Sequence, residues 1–376
     1  MTPNRRTLLG AVAGGVAALA GCGYRPGGGE FRWSTGSFHR ADGMTLDDGT
    51  VLLVAREAMS YDFETGRWYR GGHVTTLAPR RGERTAEYGF ATATRTAALG
   101  DGVLYAGQGD GTVTAVPIGE RADGGPGTPT ATPTAGSGRW TTATGVAPSG
   151  IDALDAGAGA VYAGGGEGLA ALSPGGDVRW RWADGAVAAA VAGEGGTAVY
   201  VLAGDRLVAL AGDGAVRWTR AVETAEAGTD PTPPVVGTNG VYLADDGGVT
   251  ALAHGGSVRW ERDVAPPVGR PALAGDGLYH ASVDGVVRAF SPDGRERWAH
   301  EPRGTLASDV AAADGSAFVL AGGELVGVGA GGTAWRVPLD DPEPFTPEFG
   351  PFAVGETLVL GGAGEIRGYW RSQLRR

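Results

Sequence analysis

The sequence predicts an all-β chain, an eight-bladed β-propeller of four-stranded antiparallel blades, on three observations. Glycine occurs 70 times in 376 residues, more than twice its ~7% average share. No collagen triplet organises it, and a hydrophobic fraction of 42% is too high for a disordered chain. Glycine mixed with Val, Ala, Leu and Trp reads as many short strands joined by tight turns. Thirdly, one phrase recurs, and its tryptophans 140, 180, 218, 260, 298 and 335 fall roughly 40 residues apart, the period of a propeller blade. A prior of ~150 residues per domain would divide the chain, but a repeat of this kind closes into one ring.

Residues 1–21 read as a targeting signal and stand outside the fold. Arg5 and Arg6 form a twin-arginine pair, the address of a folded-protein export route. Leu8 to Ala20 is apolar but shorter than the ~20 residues of a membrane span. It ends in Leu19-Ala20-Gly21-Cys22, which resembles a lipoprotein lipobox: small residues before the cut, then a thiol to take the lipid. Cys22 is the only cysteine, so no intramolecular disulfide and no Cys-cluster metal site is available. A two-chain lipid on Cys22 suffices for stable anchoring. Residues 22–30 then form a lipidated tether, and the expected location is the outer face of the cytoplasmic membrane.

The propeller is expected over 31–370. Its clearest units are Val161-Tyr162…Ala171-Leu172…Arg179-Trp180, Val199-Tyr200…Ala209-Leu210…Arg217-Trp218, Val241-Tyr242…Ala251-Leu252…Arg259-Trp260 and Leu278-Tyr279…Ala289-Phe290…Arg297-Trp298. Weaker copies are Phe318…Gly327-Val328…Trp335, Leu104-Tyr105…Ala115-Val116…Trp140 and a degenerate first unit ending at Arg67-Trp68. An eighth begins at Leu358-Val359-Leu360, and its outer strand is supplied by Phe31-Arg32-Trp33. The two termini thus complete one blade and leave no open edge; seven blades is the alternative count. Each Trp follows a Gly turn such as Pro292-Asp293-Gly294 and reads as filler between diverging blades. The Tyr reads as core, and the small Ala or Gly as close packing.

These units resemble the pyrroloquinoline-quinone-like (PQQ-like) β-propeller family, which includes the lipoprotein of the outer-membrane β-barrel assembly machinery and, more distantly, quinoprotein dehydrogenases. The resemblance implies the fold; it does not by itself imply a function, because the repeated residues are scaffold. The dehydrogenases use a ring disulfide of adjacent cysteines at their cofactor, which one cysteine cannot supply. No cofactor is expected.

In an up-and-down blade with strands a (inner) to d (outer), the a–b and c–d turns share one face and the b–c and d–a connections the other. Residues 119–138, rich in Pro, Thr and Gly, form a flexible solvated insertion in a c–d turn. The stretch from Trp68 to Tyr105 reads as a long d–a connection carrying Arg70, His73, Arg80, Arg81 and Arg84. Glu223, Glu226 and Asp230 occupy another, and Asp340, Asp341, Glu343 and Glu348 a third. Arg80, Arg81, Arg84, Asp340, Asp341 and Glu343 are the candidate docking surface for a protein partner.

The net charge is −11 and the chain lacks lysine, all 31 cations being arginine. This excludes a general nucleic-acid binder and a phosphate-binding Gly-Lys loop, and it is similar to proteins of salt-loving archaea. His39, His73, His254, His280 and His300 show no metal-ligand spacing, and no nucleophile elbow occurs. The expectation is a monomeric, membrane-anchored, non-catalytic scaffold with no metal site. The alternatives are a PQQ- or metal-dependent dehydrogenase and a carbohydrate-binding propeller using exposed Trp rings.

Overall fold

In the computed structural model the described residues are 29–36, 39–47, 49–62, 67–118, 139–157, 159–193, 199–223, 232–275, 277–339, 344–362 and 364–371. They form eight four-stranded antiparallel sheets and contain no helix. The chain opens with β1 (Phe31–Gly36) and then builds blade I from β2 (Gly43–Asp47), β3 (Thr50–Asp62), β4 (Arg67–Ala78) and β5 (Glu83–Phe90). Blade II holds β6 (Thr94–Gly100), β7 (Val103–Gln108), β8 (Thr112–Pro117) and β9 (Trp140–Ala143). Blade III holds β10 (Ile151–Gly157), β11 (Ala160–Gly165), β12 (Gly168–Leu172) and β13 (Val178–Trp182). Blade IV holds β14 (Val187–Ala192), β15 (Val199–Ala203), β16 (Arg206–Leu210) and β17 (Val216–Ala221). Blade V holds β18 (Val235–Gly237), β19 (Gly240–Asp245), β20 (Gly248–Leu252) and β21 (Val258–Arg262). Blade VI holds β22 (Ala272–Ala274), β23 (Gly277–Ala281), β24 (Val287–Phe290) and β25 (Glu296–His300). Blade VII holds β26 (Ala311–Ala313), β27 (Ser316–Ala321), β28 (Glu324–Gly329) and β29 (Gly332–Pro338). Blade VIII takes β30 (Phe349–Val354), β31 (Thr357–Gly361) and β32 (Glu365–Trp370), with β1 as its outer strand. The inner strands touch their neighbours all the way round, so the ring is closed.

The expected closure holds residue by residue. Trp33 pairs with Gly368 and Thr35 with Ile366, so the two ends of the chain share one sheet. Their junction imitates a c–d turn. The Gly29 N–H donates to the Trp370 carbonyl at 2.6 Å, and the Trp370 N–H to the Glu30 carbonyl at 2.8 Å.

The repeated phrase is a row of side chains across strands b, c and d. Tyr242 lies opposite Ala251, and Ala251 opposite Trp260. The two rings meet over the small residue with centroids 6.0 Å apart, within the usual range of aromatic pairs. The same row recurs as Tyr162-Ala171-Trp180, Tyr200-Ala209-Trp218 and Tyr279-Ala289-Trp298. In blade VII it is Phe318-Gly327-Trp335, and a Cβ on Gly327 would lie 2.5 Å from the indole. The middle position is small because the rings close over it.

Five tryptophans at this position also reach into the next blade, while among the described residues the buried Trp298 indole N–H has no partner. The Trp260 Nε1–H donates to the Pro292 carbonyl at 3.0 Å, and Trp218 to His254 O at 3.0 Å. Trp180 bonds Gly212 O at 2.7 Å, Trp140 Pro174 O at 2.8 Å, and Trp33 Pro79 O at 3.0 Å. The acceptor belongs to the c–d turn of the following blade, whose glycine has positive φ and lies flat under the indole. At Gly294, with φ +82°, a Cβ would stand 2.5 Å from Trp260. These contacts are the Trp latches that hold successive blades together.

Blade I departs from the pattern, and the sequence expectation for it needs correction. Trp68 is not a d-strand residue: it lies on β4, the c strand, opposite Tyr61 of β3. The outer strand is β5, where Ala86 takes the Trp position opposite Thr76, and Thr76 and Thr85 exchange a 2.6 Å hydroxyl hydrogen bond. The count of eight blades stands, and Arg67-Trp68 belongs to the c strand instead of the outer one.

Candidate interaction face

The b–c turns and d–a connections gather at one end of the ring. Here the residues preceding β22, β26 and β30 surround a cavity of about 310 Å³ lined by Met44, Val268, Ser308, Asp309, Glu348 and Phe349, among others. Its polar groups are engaged. Asp309 Oδ1 accepts from the Arg270 backbone N–H at 2.8 Å, and Ser308 Oγ from Leu320 N–H at 2.9 Å. Glu348 lies 3.7 Å from the exposed Arg40. Other carboxylates brace neighbouring blades at the inner strands. Asp47 accepts from Leu99 N–H at 2.6 Å, and Asp155 from Ala192 N–H at 2.7 Å. Burial pushes the Asp155 carboxyl above its ordinary pKa, against the backbone N–H donors of Ala192 and Ala156.

The same end carries the outer halves of β3 and β4. Their pairing runs from Val51↔Leu77 out to Asp62↔Arg67, with one extra β3 residue between Ala55 and Ala58, a bulge that bends the ribbon. β2 pairs with β3 only as far as Val54, and β5 pairs with β4 only as far as Gly72. Beyond those points, among the described residues, β3 and β4 pair only with each other. On this ribbon Met59 is 51% and Trp68 64% exposed. Arg70 meets Glu57 at 3.2 Å, both in solvent.

The arginines expected to join this face lie at the other end. Arg80 and Arg81 sit between β4 and β5, in a c–d turn, and Arg84 on β5 itself. Arg81 meets Glu83 at 3.6 Å and Arg84 meets Glu87 at 3.1 Å. Residues 68–105 are therefore a c–d hairpin followed by an inner strand, not a long d–a connection. The physical reason is the length of β3 and β4, which carries Arg67-Trp68 out along the ribbon. Asp340, Asp341 and Glu343 lie outside the described residues, as do Glu226, Asp230, Cys22, Arg5, Arg6 and the insertion 119–138. Glu348 does line the cavity, and the Glu223 N–H is held by Asp245.

Sequence reasoning missed two histidine arrangements. The rings of His39 and His73 meet with centroids 4.4 Å apart, tilted by 38°; burial and the neighbouring His39 bring the pKa of His73 down to about 4. Fully buried His280 is also brought to about 4 by burial. Neither is signalled by spacing, since each depends on strands packing. Among the described residues no group of three His, Cys, Asp or Glu is placed to hold a metal ion.

Residues 130–282 match the model of a family described as outer membrane protein assembly factor BamB (PQQ_2). That span takes in blades III, IV and V, where the Tyr-Ala-Trp row and the latch are most regular. No curated protein matches the chain. Among solved structures, BamB from Moraxella catarrhalis is 16% identical with a TM-score of 0.62, the match covering 90% of this chain and 99% of that one. The computationally designed Ika8 is 14% identical with a TM-score of 0.62, covering 92% of this chain and 100% of that one. Saccharomyces cerevisiae Sqt1 is 10% identical with a TM-score of 0.60, covering 91% and 99%. At such identities the solved structures share the fold and nothing narrower, while the repeats of 130–282 are similar to those of the PQQ-like, BamB-type family model.

Proposed function

We propose that this chain is a non-catalytic scaffold, anchored through lipid on Cys22 at an extracytoplasmic membrane surface, that binds a partner protein on its b–c/d–a face. The observation that carries this reading is where the chain departs from its own repeat. The Tyr, Ala and Trp of the regular blades are used in packing and latching, whereas the β3–β4 ribbon and the cavity beside β30 lie together at one end. Loop-borne, asymmetric features on a rigid ring are where recognition concentrates. The assembly-factor description of the family matched over 130–282 supports a protein partner, and Cys22 following an apolar stretch supports the anchor.

Site-specific photo-crosslinking in native membranes tests this. A crosslinker at Val283 or Glu348 on the b–c/d–a face should trap the same membrane or secreted protein, and one at Val216 or Val258 on the c–d side should not. Loss of membrane association in Cys22→Ser is expected alongside. Sustained alcohol or sugar oxidation by protein loaded with PQQ and Ca²⁺, or equal adducts from both ends, would overturn the reading.

A further inference from the structure

Gly29 stands where blade VIII, by analogy with the others, places the latch glycine of its c–d turn. Its φ is +84°, and a Cβ on it would lie 2.6 Å from the Trp335 indole of blade VII. Its N–H is held by the Trp370 carbonyl at 2.6 Å. Gly29 is thus fixed at the a–b/c–d end of the ring. Cys22 lies seven residues before it in the sequence, a separation of at most about 25 Å at full extension. We propose that the a–b/c–d end seats on the membrane surface, with exposed apolar residues of its rim at the lipid boundary and arginines among anionic headgroups. This rests on the anchor reading above and adds which end faces the bilayer. The b–c/d–a face and its ribbon are thereby turned outward, toward a partner.

The rim of this end carries the rest of the case. Phe31, Ile118, Val216 and Val258 are all exposed there. Phe31, Val216 and Val258 open the outer strands of blades VIII, IV and V, and Ile118 follows the c strand of blade II. They are spread round the ring instead of gathered in one patch, which suits a plane laid across the end. Each of the three strand-opening residues is followed by an arginine, Arg32, Arg217 or Arg259. Apolar groups beside guanidinium groups suit a membrane interface, the first entering the headgroup boundary and the second staying at phosphate level. Arg80 and Arg81 add exposed cations in the c–d turn of blade I. That turn adjoins β1, since Trp33 donates to the Pro79 carbonyl. The 3.6 Å pair of Arg81 with Glu83 lies in solvent and is weak enough to yield to a phosphate. At the opposite end, among the described residues, exposed carboxylates outnumber exposed arginines; Glu167, Glu301, Asp309 and Glu348 are four of them. An anionic surface repels that end.

A benzophenone amino acid placed at Val216 or Val258 of the full chain, on vesicles of equimolar phosphatidylcholine and phosphatidylglycerol, tests the seating. Mass spectrometry should find lipid adducts several-fold more abundant there than from the same group at Val283 or Glu301 of the opposite end. Arg80→Glu combined with Arg81→Glu should lower the yield at Val216 about tenfold on these vesicles and leave it unchanged on phosphatidylcholine alone. Should the mature chain carry no lipid on Cys22, the anchor reading fails by itself. The seating is then read from the same yields on the chain coupled through its Cys22 thiol to a maleimide lipid in those vesicles. Equal lipid yields from the two ends, higher yields from Val283 and Glu301, or a double arginine variant with undiminished yield would overturn the proposal.

Discussion

The junction between blades V and VI and the junction between blades I and II are built from the same strands in the same order, yet only one is latched. At V–VI, Trp260 rises from β21 over Ala251, bonds the Pro292 carbonyl and lies flat on Gly294. At I–II the corresponding residue on β5 is Ala86, and the c–d turn it would reach is where residues 119–138 are inserted between β8 and β9. A latch needs a donor ring on one blade and a short glycine turn on the next. Here both halves have changed together. The Trp is therefore one part of a two-part joint, and a departure in one blade is legible only beside its neighbour.

Breaking a complete joint should cost the most. Trp260→Ala removes a buried indole, its hydrogen bond and the lid over Gly294; a cost of about 3–5 kcal/mol is expected, measured by urea unfolding. An effect below about 1 kcal/mol would mean that the ring does not depend on its latches.

His280, packed inside blade VI, gives the next largest effect. Its folded pKa, about 4, lies below the ordinary 6.5, so the unfolded chain binds more protons between those values. Its share of stability is therefore complete above pH 6.5 and falls as pH drops toward 4, by up to roughly 3 kcal/mol. Urea midpoints across that range should fall with acid, and His280→Leu should flatten part of the slope. His73, at the unlatched side of the ring, is depressed to about 4 by burial and by His39 and adds to the same window. A slope unchanged in His280→Leu would mean that the acid sensitivity lies elsewhere.

Fold and closure were legible because they are carried by local spacing. Tyr242, Ala251 and Trp260 repeat where the period puts them, and Trp33 fills the gap left by the last unit. The error came from the same rule: Arg67-Trp68 has the letters of the repeat but follows a b–c turn. The signal that separates them is the following pair of strands, since β4 and β5 supply a further hairpin before β6 begins. The charged face failed with it, because Arg80 and Arg81 changed ends once β4 was placed. The His39–His73 contact had no signal, as it forms across blade I between the residues preceding β2 and the c strand β4.

Within the latched region the small residues should be less costly than the rings. Gly327→Ala would press a methyl to 2.5 Å from the Trp335 indole, and about 1–3 kcal/mol is expected from such overpacking. Its contrast is Gly36 on the outer strand of blade VIII, where an added Cβ meets nothing within 4 Å and φ is unstrained; Gly36→Ala should be close to neutral. Equal losses at the two sites, compared by thermal unfolding, would show that the rings do not close over the middle position.

The smallest effect separates the two kinds of tryptophan. Trp68 is 64% exposed on a ribbon paired on neither flank, while Trp260 is 7% exposed between two blades. Surface substitutions away from packed features change stability by less than about 0.5 kcal/mol, so Trp68→Ala should unfold with nearly the same urea midpoint as the parent chain. Large exposed apolar rings of this kind mark contacts with something outside the fold. If Trp68→Ala instead lost as much as Trp260→Ala, the ribbon would belong to the core of blade I, and the division between a latched scaffold and a projecting arm would disappear.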